Sequence, residues 1–131
     1  MIRFTECLAI ETKPYGISVF SISPGTVRTA MSEYSLNSPE GKKWLPWFKR
    51  IFDEGLVVPA VRPAALVLEL ASGRADSLSG RFLSIYDDLD GLLKSADDLE
   101  QKNLYTLKVE RLAAPPKPAM ASILAAARKP E

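Results

Sequence analysis

The chain has 131 residues, enough for one domain with a core of its own, and 47% of them are hydrophobic. A net charge of +1 gives no basic excess for tracking phosphates, which argues against a nucleic-acid partner. With no histidine and one cysteine, an internal disulfide is excluded and no metal site is expected.

Met1 to Thr12 carries apolar residues at 1, 4, 7 and 8, with Ile10 beside them, which is helical spacing. Lys13-Pro14-Tyr15-Gly16 closes that helix with a proline and then a glycine. Ile17 to Ser23 follows, I-S-V-F-S-I-S, too short for a buried helix and rich in β-branched and aromatic side chains. It reads as a strand with both faces covered. Pro24-Gly25 stops it, since proline has no amide hydrogen for a ladder and glycine takes backbone angles other residues avoid. Three donors come next: the Thr26 hydroxyl, the Arg28 guanidinium and the Thr29 hydroxyl. In open α/β sheets ligands bind beyond the carboxyl ends of strands, so this turn is the first place to look for one.

Residues 30–38 read as polar and end in Asn37-Ser38-Pro39, a helix start with Ser38 as cap and Pro39 in the first turn. On a helical wheel of Lys42 to Phe52, Trp44, Leu45, Trp47, Phe48, Ile51 and Phe52 share one face. Lys42, Lys43, Lys49 and Arg50 share the other, and Pro46 marks a kink or a restart. Leaving the apolar face in water would forgo on the order of 10 kcal/mol, so something must cover it. Packing against the rest of the domain is one reading. A membrane-surface helix is another, favoured by the tryptophans and the basic face.

Gly55 to Arg62 looks extended, and Pro63 starts a helix that ends at Gly73 with Leu66, Val67 and Leu70 as its core stripe. Arg81 to Tyr86 is a second strand, entered through Ser79-Gly80. The helices between the two strands leave room for the right-handed crossover of a parallel pair. A two-stranded parallel pair does not bury a sheet, so the fold calls for strands that this sequence does not contain. Asp87, Asp88, Asp90, Asp97, Asp98 and Glu100 cluster without the spacing of a calcium loop and read as a solvated face, with Asp near helix starts. Asp98 to Leu112 reads as a further helix, and the Ala/Pro-rich residues 113–131 as a disordered or weakly helical tail.

Taken together, the strand and turn I-S-V-F-S-I-S-P-G-T-V-R-T resemble the late strand and P-G-x-V-x-T loop of the short-chain dehydrogenases/reductases. I-R-F-T-E-C-L-A-I-E-T-K-P-Y-G-I is similar to the helix after that family's catalytic Tyr-x-x-x-Lys, and L-S-G-R-F-L-S-I-Y to its last helix and strand. The resemblance covers residues 1–93 and implies an α/β fold, the C-terminal part of a doubly wound parallel (Rossmann) sheet, with two strands and flanking helices. Residues 94–112 would be a C-terminal helical extension. It implies hydride transfer between NAD or NADP and a carbonyl or alcohol carbon. Pro24 and Gly25 would shape the turn, the backbone of Thr26 and Val27 would bond the nicotinamide carboxamide, and Thr29 would hold the carboxamide or diphosphate. The 42–52 segment would be a substrate lid, with Trp44, Trp47 and Phe48 implying a bulky apolar substrate.

Two motifs of the family are absent. None of the seven glycines forms G-x-x-x-G-x-G, and none of the four tyrosines has a lysine four residues later. No catalytic residue is therefore assigned. The chain is expected to be the second half of an NAD(P)-dependent oxidoreductase, inactive alone and homo-oligomeric in its full-length form. Two alternatives remain: a non-catalytic truncated paralogue that pairs with a full-length subunit through the first helix, or a membrane-surface interaction module using residues 42–52. No apolar run approaches a membrane span and no signal peptide opens the chain, so a cytoplasmic protein with no membrane partner is expected.

Overall fold

The structure, a computed structural model, describes residues 1–108. The reading of a tail at 113–131, and of the end of the 98–112 helix, lies outside the described residues. What is described is a mixed α/β fold built on a parallel pair of strands with flanking helices.

Helix α1, Ile2–Thr12, forms where the spacing predicts it, but it buries a narrow stripe, Thr5 and Ala9, and leaves Phe4 and Ile10 exposed. A 3-10 turn over Lys13–Tyr15 ends at Gly16, whose φ of 70° lies in the left-handed region that glycine tolerates. Strand β1, Ser21–Ser23, runs parallel to β2, Phe82–Ser84, with Ser21 opposite Phe82 and Ser23 opposite Ser84. The hydrogen-bond ladder reaches further than these spans. Gly80 N–H donates to Val19 O at 2.7 Å, Ser21 N–H to Arg81 O at 3.1 Å, and Ile85 N–H to Ser23 O at 3.2 Å.

β1 departs from expectation in two respects: it spans Ser21–Ser23 rather than the whole of 17–23, and its residues are half-buried rather than covered on both faces. The reason lies in the two edges of the sheet. Along the outer edge of β2, Phe82 N–H donates to Tyr105 O at 2.9 Å and Ser84 N–H to the Asp87 carboxylate at 2.6 Å. Alternation turns the backbone of residues 19, 21 and 23 toward β2, and that of Phe20 and Ile22 away from it. No described strand pairs with β1 on that far side, and β2 is its one strand partner among the described residues.

The segment after β2 corrects the expected helix at 98–112. Within the described part of that span the helix is only the end of α7, Ala96–Gln101, which follows a short α6 at Leu89–Lys94. Residues 102–106 then turn rather than coil, with Asn103 and Tyr105 at φ of 54° and 59°. A non-glycine residue there costs about 1–2 kcal/mol. The turn brings two carbonyls to β2: Tyr105 O to Phe82, and Leu104 O to the buried Arg81, whose Nη1 donates to it at 2.6 Å. Sealing the sheet edge outweighs helix propagation.

Between the strands lie α2 (Ala30–Asn37), α3 (Pro39–Trp44), α4 (Phe48–Asp53) and α5 (Val61–Ala71). The sequence reading placed no helix over 30–38. α2 forms because Thr29 and Ser32 cap it reciprocally: Ser32 N–H donates to Thr29 Oγ1 at 3.3 Å, and Thr29 N–H to Ser32 Oγ at 2.8 Å. Ser38 caps α3 through Gly41 N–H, as predicted. Gly41 is also where α2 and α3 meet, since a Cβ there would lie 1.8 Å from Ser35 O. Pro46 falls in a break, so the 42–52 helix is two helices, α3 and α4. Thr29→Ala should cost about 1 kcal/mol and fray α2, read as faster amide exchange at Ser32 and Glu33. Unchanged exchange would show that the cap is not holding α2.

The core gathers under one face of the sheet. Leu78 and Leu83 are fully buried, joined by Leu70, Ala75 and Leu99, with Phe20 and Ile22 packed against them. It is a small core for a chain that also exposes Phe4, Ile10, Trp44, Trp47 and Leu68. No helix among the described residues is long and apolar enough to cross a membrane.

Candidate functional site

The turn Pro24–Thr29 sits at the outgoing ends of both strands, directly after β1. Its sharpest point is Gly25, at φ 67°. A Cβ there would meet Ile85 Cδ1 and Val58 Cγ2 at 2.9 Å and Tyr86 Oη at 3.0 Å. Three side chains from two other segments therefore close over the glycine and fix the turn's path. Tyr86 is held in turn by Arg62, whose guanidinium lies 5.7 Å from the ring centroid and donates through Nη2 to Ile85 O at 3.0 Å.

Beyond Gly25 the chain forms a parallel bridge between Val27 and Val58, with Val58 N–H donating to Thr26 O at 2.8 Å. The Thr26 carbonyl is thereby committed to the protein. In a parallel bridge the residue whose two neighbours make the bonds turns its own backbone the other way. Val27 N–H and C=O thus face away from Val58. Thr29 has two tasks available to one hydroxyl: its oxygen accepts the α2 cap bond from Ser32, and its hydrogen has no acceptor among the described residues. Arg28 is held on both sides, paired with Glu33 at 3.3 Å and lying 5.2 Å from the centroid of Phe52. The contact ties the turn to α4.

The substrate candidates separate in part. Phe48 lines a groove of about 440 Å³ together with Leu36, Leu45 and Phe52. Trp44 and Trp47 lie outside that lining, 70% and 57% exposed. Trp47 nevertheless packs edge-on against Phe48, with ring centroids 5.8 Å apart, and Phe48 against Phe52 at 5.5 Å, so of the three candidates Trp44 alone stands away from these rings. The basic face is also largely neutralised within its own helix, because Lys49 pairs with Asp53 at 2.6 Å and Arg50 with Glu54 at 2.7 Å. That leaves Lys42 and Lys43, the latter 4.8 Å from the centroid of Trp44, as the cations a membrane surface would meet.

The structure thus joins the Pro24–Thr29 turn to Phe52 through Arg28, packs Trp47 on Phe48 and Phe48 on Phe52, and leaves Trp44 apart from that row of rings. Sequence reasoning missed Val58, Arg62 and Tyr86. Each lies far along the chain from Gly25, Val58 and Arg62 in a segment with no motif of its own and Tyr86 at the end of the second strand segment, and the tight fit at Gly25 becomes visible only in three dimensions. Comparisons with models of protein families, with curated proteins and with solved structures found no match to this chain.

Proposed function

We propose that the chain is the C-terminal half of a short-chain dehydrogenase/reductase, an NAD(P)-dependent oxidoreductase acting on a carbonyl or alcohol carbon. One observation carries the reading: a Pro-Gly turn at the outgoing ends of two parallel strands, its glycine closed over by Ile85, Val58 and Tyr86, with the backbone of Val27 turned outward. Such a turn supplies a donor and an acceptor side by side, the pair a nicotinamide carboxamide needs. Fixing the carboxamide decides which face of the ring meets the substrate. The Thr29 hydroxyl, at the start of α2, adds a donor for the carboxamide or diphosphate. Phe48, beside Phe52 in the neighbouring groove, fits a contact to an apolar substrate.

The hydride acceptor or donor is the nicotinamide ring when the cofactor is bound. This chain's residues orient that ring; the proton transfer to the substrate oxygen belongs to a Tyr-x-x-x-Lys pair that the sequence does not contain. The open side of β1 supports the same reading, because a parallel sheet of two strands with one unfinished edge is where further strands add. Purified chain mixed with NADH or NADPH and a panel of aldehydes and ketones should show no oxidation of the cofactor. Turnover by residues 1–131 alone would overturn the assignment of the reactive groups to polypeptide outside this sequence.

A further inference from the structure

The groove of about 440 Å³ beside the turn is lined entirely from residues 35–53, across α2, α3 and α4. Its walls therefore stand independently of the strands that the open edge of β1 calls for. Leu36, Leu45, Phe48 and Phe52 are half-buried along it, and Pro46 joins them from the break between α3 and α4. A cleft of this size, mostly apolar with a few polar groups, is the usual form of a small-molecule site. Three charged residues belong to the lining, Lys42, Lys49 and Asp53. Lys49 and Asp53 neutralise each other at 2.6 Å. Lys42, in the last turn of α3, makes no ion pair among the described residues. Ser35 and Asn37, the other polar residues there, carry no charge. What remains is an apolar surface with one uncompensated positive charge.

We infer that this groove takes an amphipathic anion, a molecule with an apolar chain or ring that ends in a carboxylate. Burying the apolar part along Phe48 and Phe52 supplies the drive, in proportion to the area removed from water. The carboxylate pairs with the Lys42 ammonium, which fixes the direction in which the molecule lies. Arg28 is the competing cation, but it is already paired with Glu33 at 3.3 Å. Its guanidinium lies 5.2 Å from the centroid of Phe52, so a ligand on that ring comes to rest beside the Pro24–Thr29 turn. The inference deepens the enzymatic reading and rests on it for calling the anion a substrate: an apolar oxo- or hydroxy-acid rather than a neutral ketone or alcohol. Binding itself belongs to residues 35–53 and is measured on the chain without any cofactor.

The test titrates the chain with octanoate, with 1-octanol, which has the same tail and no charge, and with acetate, which has the charge and no tail. Concentrations stay below micelle formation, and amide chemical shifts report the site. Octanoate should bind about tenfold more tightly than octanol, the worth of one charge-assisted hydrogen bond, and acetate should leave the spectrum unchanged. Lys42→Gln should reduce octanoate to the affinity of octanol and leave octanol as it was, while Phe48→Ala should weaken both. Failure of octanoate to bind, equal affinity for octanoate and octanol, a preference that survives Lys42→Gln, or shifts centred outside residues 35–53 would each overturn the inference. If octanoate binds with the expected charge dependence but the full-length form leaves NADH and NADPH unoxidised, the site stands and the enzymatic reading falls.

Discussion

Replacing Gly25 with alanine should lower the stability of the chain by about 2–4 kcal/mol, through two costs that add. The first is conformational, because a side chain at φ 67° sits in the left-handed region. The second is steric. The new methyl would lie 2.9 Å from both Ile85 Cδ1 and Val58 Cγ2, and 3.0 Å from Tyr86 Oη, closer than carbon contacts allow. Ile85 and Val58 are buried and have little room to retreat, so the turn itself must move. Urea unfolding followed by far-ultraviolet circular dichroism measures the loss. A midpoint unchanged from wild type would show that the turn is free to relax, and would remove the argument that its backbone is held ready for a ligand.

Leu83→Ala should have an effect of comparable or greater size, about 2–5 kcal/mol. Leu83 is 0% exposed, sits opposite Ile22 in the parallel pair and belongs to the cluster with Leu70, Leu78 and Leu99. Its removal leaves a cavity between a strand and the helices on that face. Whole domains have only about 5–15 kcal/mol of stability, and a core this small lies toward the low end of that range. The variant is expected to be largely unfolded at room temperature, with the cooperative transition missing from a urea titration. Leu68→Ala is the control: at 73% exposure it should shift stability by no more than about 0.5 kcal/mol. Equal losses at the two positions would mean that the packing described for the core is wrong.

What the sequence made legible was local. Helix α1, the glycine at its end, the Ser38 cap and the two strands all rest on patterns within a few residues, and they form where those patterns lie. α2 escaped because its stabilising element is a Thr-Ser pair rather than the Ser/Thr-to-Glu capping box, and its apolar spacing is weak. The helix drawn over 98–112 failed for a tertiary reason, the pull of the β2 edge on the carbonyls of Leu104 and Tyr105. A wheel could not show that the break at Pro46 would leave Trp44 apart from the contacting rings of Trp47, Phe48 and Phe52, since a wheel assumes one unbroken axis. In the candidate site the turn residues were legible because they are contiguous. Val58, Arg62 and Tyr86, which hold that turn, were not, because chain separation hides a packing contact.

The proposed function makes Pro24–Thr29 one wall of a nucleotide cleft whose Tyr-x-x-x-Lys pair is not among these 131 residues. The most direct measurement joins residues 1–131 to the residues encoded in frame before them and follows the absorbance of reduced nicotinamide with a panel of carbonyl substrates. The account predicts an upstream Tyr-x-x-x-Lys and a glycine-rich turn, with oxidation of NADH or NADPH by the longer protein and none by residues 1–131. A stop codon immediately upstream, or turnover by the short chain itself, would contradict it.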